Sequence, residues 1–190
     1  MLNQICPAIV LTVLLTAVTG LVYPLAITAA AQVAFPGQAN GSRIERDGRV
    51  IGSELIGQNF AQPKYFWPRP SATGPEPYNA AASSGSNIGP TGKALIERTA
   101  ASVAALGGGP VPGDAVTTSG SGLDPHISPQ YAAWQIARVA QARGVAPAAI
   151  EAIVARVTEG PALGIFGEPR VNVLRLNLAL DEAARQASVP

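Results

Sequence analysis

His126 is the only histidine and Cys6 the only cysteine in this 190-residue chain. An imidazole triad or a histidine-based zinc site would therefore have to be built around His126 alone. An exported serine hydrolase would pair His126 with Ser121. However, Ser119-Gly120-Ser121-Gly122 is not a nucleophile elbow, because that turn needs glycine where Ser119 stands. Gly92-Lys93 fails as a phosphate loop on two counts. Asn87 occupies the place of the first glycine, and Ala94 that of the hydroxyl that would hold magnesium. Asp114, Asp124, Glu168 and Asp181 have no spacing that puts two of them on one face, so a carboxylate pair for acid–base work is unsupported. Arg138 and Arg143 read as solvated or intramolecular pairs rather than a phosphate clamp. One chemical option survives. The Gly-rich 119–124 stretch offers consecutive N–H groups that can cradle an anion. Its competing reading is a tight loop capped by Asp124 and Ser128 ahead of a helix. A lone cysteine excludes disulfides within the chain and thiolate metal clusters. Cys6, preceded by Asn3-Gln4-Ile5 rather than a lipobox, reads as an apolar packing residue.

The elements that position these residues begin with the N-terminus. Residues 1–42 contain no Asp, Glu, Lys or Arg. As a helix, residues 8–31 span roughly 36 Å, enough for a ~30 Å hydrocarbon core with some tilt. Thr12, Thr16, Thr19 and Thr28 are tolerated there, since a threonine hydroxyl bonds a carbonyl one turn earlier. Pro24 is expected to kink the last third. Gly20 with Thr16, Ala17 and Thr28 would let a neighbouring helix approach closely. Ala29-Ala30-Ala31 before Gln32 resembles a signal-peptide cleavage site. The missing basic n-region and the length of the apolar run favour a retained anchor.

Residues 1–35 thus read as an anchor, 36–43 as a linker and 44–190 as one soluble α+β domain. The fold class is α+β behind a single transmembrane helix. Asp47-Gly48 between Ile44 and Val50-Ile51 signals a type I′ hairpin. Tyr65-Phe66-Trp67 lies between prolines, as a core anchor or a contact surface. Helices are predicted from Pro90-Thr91 to Leu106, over 130–143 closed by Gly144, over 147–157 closed by Gly160, and over 176–187. Short strands are expected at 163–166 and 171–174. Seventeen prolines and twenty glycines place long irregular segments beside these elements. A net charge of +1 without a basic stripe, and sparse aromatics, argue against nucleic acid.

Those irregular segments carry a resemblance. In order they read Gly52-Ser53-x-Leu55-Ile56-Gly57-Gln58, Tyr65-Phe66-Trp67-Pro68-Arg69-Pro70-Ser71, Gly85-Ser86-Asn87-Ile88-Gly89-Pro90, and Ser119-Gly120-Ser121-Gly122-Leu123-Asp124-Pro125-His126-Ile127-Ser128-Pro129. Gln135-x-x-Arg138-Val139-Ala140-x-Ala142-Arg143-Gly144 and Gly167-Glu168-Pro169-Arg170-Val171-Asn172-Val173-Leu174-x-Leu176-Asn177 follow. This ordered set strongly resembles the C subunit of the Kdp potassium-transporting ATPase. The resemblance implies a single-pass, non-pumping inner-membrane subunit. Its partners would be a potassium-conducting A subunit, an ATP-hydrolysing B subunit and membrane lipid. Consistently, the chain has no Asp-Lys-Thr-Gly phosphorylation motif and no Thr-Val-Gly-Tyr-Gly filter. The family is described as an assembly factor and as a catalytic chaperone that raises the ATP affinity of the B subunit. ATP is therefore implied through the catalytic subunit, and no metal is expected on this chain. Direct nucleotide binding by the 119–124 loop is the alternative. Arg43, Arg46 and Arg49 after the span favour a cytoplasmic domain by the positive-inside rule, whereas the family architecture implies the outer face. The candidate partner or nucleotide contacts are Tyr65, Phe66, Arg69, Ser86, Asn87, Ser119, Ser121, Gly122, Asp124, Arg138 and Asn172.

Overall fold

The computed structural model describes residues 2–187 and divides the chain into two compact units, Met1–Ile51 and Gly52–Pro190. The first unit is dominated by one continuous apolar helix, Ile5–Ala34. Its most apolar 18 residues have a mean hydropathy of 2.4, none of the helix is buried, and it is long and apolar enough to cross a membrane. Within it, α1 (Ile5–Ala17) and α2 (Tyr23–Ala34) are joined by a π-helical turn, Val18–Val22. Pro24 explains that turn. Its ring clashes with the carbonyl four residues back, so the helix widens and Tyr23 N–H bonds Val18 O instead. Thr19 donates its hydroxyl to Leu15 O at 2.7 Å, as expected of threonine in an apolar helix.

Phe35, at φ −140° and ψ 58°, ends α2, and a short helix α3 (Pro36–Ala39) follows where polar linker was expected. Asn40 closes α3 by donating to Pro36 O at 2.7 Å and to the Gln32 side chain at 3.1 Å. The hairpin β1 (Arg43–Arg46) and β2 (Arg49–Ser53) turns on Asp47 and Gly48 at φ 53° and 73°, the type I′ signature. The boundary between the units falls inside β2.

The second unit begins with a long stretch almost free of regular structure, up to α4 (Lys93–Ala105). Then β3 (His126–Ile127) leads into α5 (Pro129–Arg143), α6 (Pro147–Val157) and β4 (Thr158–Glu159). β5 (Arg170–Asn172) runs directly into α7 (Val173–Ala187). The three strands pair antiparallel in the order β3-β5-β4, with His126 opposite Asn172 and Val171 between Ile127 and Thr158. The core joins Phe66, Ile127 and Val171 to apolar stripes of the three C-terminal helices. These stripes are Tyr131, Ile136 and Val139 of α5, Ile150 and Val154 of α6, and Val173, Leu176 and Leu180 of α7.

Helix ends follow local chemistry. Ser128 caps α5 by accepting from Tyr131 N–H at 3.0 Å, and Gly144 ends it at φ 67°. Asp114 fixes that cap, accepting from the Ser128 N–H at 2.7 Å and its hydroxyl at 3.1 Å. Two expected strands differ. The apolar run at 171–174 is a strand only to Asn172, whose side chain accepts from Arg175 N–H at 3.1 Å and starts a helix there. Residues 163–166 form the turn of a tight hairpin closed by an Ala162–Phe166 bridge. Helix α4 begins at Lys93, slightly later than expected.

Candidate functional site

Residues 62–71 have no neighbouring strand, and side chains from α5 and α7 take its place. Asn177 accepts from Phe66 N–H at 2.8 Å and donates to Phe66 O at 3.0 Å. Gln135 does the same for Trp67, at 2.7 and 3.1 Å. Both amides are buried, at 1 % and 0 % exposure, so each supplies the donor and acceptor that a β-partner would have given. The Arg138 guanidinium stacks 3.6 Å above the Trp67 ring and donates to Pro63 O, to Tyr65 O and to Gln135. Burial lowers its pKa from the usual arginine value. Tyr65 donates its hydroxyl to Asp181, and Arg143 bonds both Asp181 (2.9 Å) and Lys64 O (2.7 Å). Phe66 itself is fully buried in the core.

Arg69 opens a second cluster. Its guanidinium meets Asp124 at 3.0 Å and bonds the Thr117 and Thr118 carbonyls at 3.4 Å. The other Asp124 oxygen accepts from His126 N–H at 2.9 Å and lies 3.4 Å from His126 Nδ1. Burial alone would raise the Asp124 carboxyl, but hydrogen bonds from His126 and the charge of Arg69 outweigh it and hold it below the usual carboxylate range. Tyr78 donates to Arg69 O at 2.6 Å, and burial pushes its phenol upward. Burial likewise pushes the Tyr131 phenol up to about 12.

The 119–124 loop packs against 71–85. Ser84 N–H bonds Ser121 O at 3.0 Å, Ser71 donates to Gly122 O at 2.7 Å, and Gly57 N–H bonds Leu123 O at 2.8 Å. Gly122 sits at φ 68°, and a side chain there would meet Ser84 O at 2.8 Å, so only glycine fits. The Ser119 and Ser121 hydroxyls accept from the N–H groups of Gly122 and Leu123 at 2.9 and 3.1 Å. Two donors of the supposed anion nest are thereby engaged.

A shallow, open cleft of about 500 Å³ lies beside this cluster, walled by Arg69, Asp114, Asp124, His126, Glu168 and Arg170 among others. Three carboxylates face it, and the Arg69 guanidinium is committed to one of them. Arg170, the other arginine of the lining, is paired with Glu159 at 3.1 Å. Ser121 is absent from the wall that His126 lines, so nucleophile and base do not meet there. Among the described residues no group of three His, Cys, Asp or Glu side chains could hold a metal ion.

The sequence candidates therefore fall into two clusters: Tyr65, Phe66 and Arg138 in one, and Arg69, Ser119, Ser121, Gly122 and Asp124 in the other. Asn172 caps α7 and donates to Glu54 O at 2.8 Å, opposite His126 on β3. Ser86 and Asn87 lie beside the loop without a side-chain hydrogen bond among the described residues, and Asn87 is exposed at φ 50°. Gln135, Asn177, Tyr78 and Asp181 were not among the candidates. A polar residue inside an apolar helical stripe was the available signal for the first two.

Fold and site together define a long apolar helix followed by an α+β domain whose polar side chains hold its own irregular segments. A family model for the K+-transporting ATPase c chain, KdpC, matches residues 5–182. The chain is similar to the potassium-transporting ATPase KdpC subunit of Dechloromonas aromatica, 56 % identical over 94 % of this chain and 97 % of the relative. It is likewise similar to that of Sorangium cellulosum, 58 % identical over 96 % of this chain and the whole relative. The chain belongs to the KdpC family, as the ordered sequence blocks implied.

Proposed function

We propose that this chain is an accessory, non-pumping subunit of a high-affinity, ATP-driven potassium import complex of the Kdp type. It assembles and stabilises the complex, contacting the potassium-conducting A subunit and the ATP-hydrolysing B subunit. As a catalytic chaperone it raises the ATP affinity of the B subunit. One observation carries the accessory reading: the polar groups of both clusters are engaged with the chain's own backbone and with each other, which suits a rigid contact scaffold rather than a catalyst. ATP then acts at the partner subunit, with its effect transmitted between subunits as a coupling free energy. The long apolar helix supports an inner-membrane anchor. The soluble domain lies on the outer face, as the family resemblance implies and against the arginine bias at 43–49.

The test combines topology with labelling. In a Cys6→Ser background, Ser84→Cys in the assembled complex is treated in intact cells with a membrane-impermeant maleimide. Labelling is the expected outcome, together with a weaker apparent ATP affinity when the chain is omitted. A photoreactive ATP analogue should label the B subunit and not this chain. Protection of Ser84→Cys until permeabilisation, with labelling of the 119–124 loop, would overturn the reading in favour of direct nucleotide binding.

A further inference from the structure

The hairpin between β4 and β5 points its apolar residues into solvent. Leu163 is 89 %, Ile165 79 % and Phe166 65 % exposed, the three most exposed large apolar side chains described in this unit. The tip is preformed. Ala162 and Phe166 exchange two backbone hydrogen bonds, at 2.8 and 2.9 Å, and Ile165 N–H bonds Ala162 O at 3.2 Å. Leu163 and Gly164 hold φ of 54° and 74°. A leucine at positive φ carries a strain that glycine or asparagine would avoid, and here it holds an apolar side chain out at the tip. A rigid, apolar knob loses little conformational freedom on docking. Next to the knob, Glu168 to Arg170 form one wall of the polar cleft. Arg170 is paired with Glu159 at 3.1 Å, and Asp124 with Arg69. Glu168 is exposed and has no ion pair or hydrogen bond among the described residues. The uncompensated charge beside the knob is therefore negative.

From this geometry we infer that the 161–168 hairpin is a docking knob for another polypeptide of the same ATPase. Leu163, Ile165 and Phe166 fill an apolar hollow whose rim carries a lysine or arginine facing Glu168. An apolar centre with a polar rim is the usual anatomy of a protein interface, and a buried aromatic is its usual anchor. A bilayer surface is the poorer occupant, because anionic headgroups attract basic segments and this tip carries a free carboxylate. The inference rests on the accessory-subunit reading and adds the surface through which it acts.

The test uses the complete complex. The photoreactive residue p-benzoylphenylalanine replaces Phe166, and in a parallel sample replaces exposed Glu151 on α6. Irradiation should yield an adduct between position 166 and another ATPase subunit, at least about tenfold above the Glu151 sample. Adducts with lipid alone, with a second copy of this chain alone, or at the Glu151 level overturn the inference. Phe166→Ser and Glu168→Arg should each speed dissociation from the complex at least about tenfold, roughly the effect of losing one anchor. Their melting as isolated full-length chains should match the wild type, because both side chains are exposed. Unchanged retention of both variants overturns the docking knob while leaving the accessory reading standing. Failure of the wild-type chain to co-purify with any other subunit overturns both.

Discussion

Replacing Gln135 with alanine tests whether two side-chain amides do the work of a missing strand. Gln135 is fully buried and holds both the N–H and the C=O of Trp67 while accepting from Arg138. Truncation leaves the two Trp67 groups and the Arg138 donor short of a partner, at about 1 kcal/mol each in a half-buried setting that water partly reaches. Loss of the one buried methylene adds about 1 kcal/mol, for a total of roughly 4 kcal/mol. Gln141 sits on the same helix with its side chain exposed, and Gln141→Ala should stay within ~0.5 kcal/mol. Helix propensity is therefore matched, and the difference between the two variants isolates the burial and the hydrogen bonds. Urea unfolding of the full-length chain in detergent, followed by the fluorescence of Trp67 and Trp134, gives both midpoints with the slope unchanged. A difference below ~1 kcal/mol would refute the claim that the amide holds this segment.

Three further outcomes follow from the same geometry. The folded Asp124 carboxyl lies below its unfolded value, so its stabilisation is complete above about pH 4 and is lost as pH falls through the folded value; Asp124→Asn should flatten the acid limb of urea midpoints measured from about pH 6 down to about pH 3. Gly122→Ala should cost about 2 kcal/mol or more, because φ is 68° and Ser84 O stands 2.8 Å from the new methyl, whereas Gly120→Ala, with open space around it, should cost under ~1 kcal/mol by the same unfolding assay. Arg138→Lys keeps the charge but loses the flat stack on Trp67 and the forked donors, and should lower stability by about 1–2 kcal/mol in thermal unfolding.

What the sequence showed of this fold, and what it hid, divides by range. Signals that act within a few residues were readable: Ser128-Pro129 and Gly144 around α5, Pro147 at the start of α6, Asp47-Gly48 in the hairpin, and the uncharged N-terminal run. Short apolar runs were ambiguous, since period alone does not separate a strand from a turn or a buried helix start. Val171-Asn172-Val173-Leu174 and residues 163–166 both misled for that reason, the first because Asn172 caps a helix within a β-branched run. The pairings that build the two clusters join positions such as Arg69 and Asp124, or Phe66 and Asn177, that lie far apart in the chain. No local pattern announces such partners. Yet the blocks that carried the family resemblance, 65–71, 119–129, 135–144 and 167–177, supply most of the groups that satisfy the irregular backbone. An irregular segment cannot borrow a neighbouring strand, so each of its buried N–H and C=O groups needs a specific side chain. That need ties a recognisable family signature both to the irregular segments and to the helix positions on α5 and α7 whose side chains hold them.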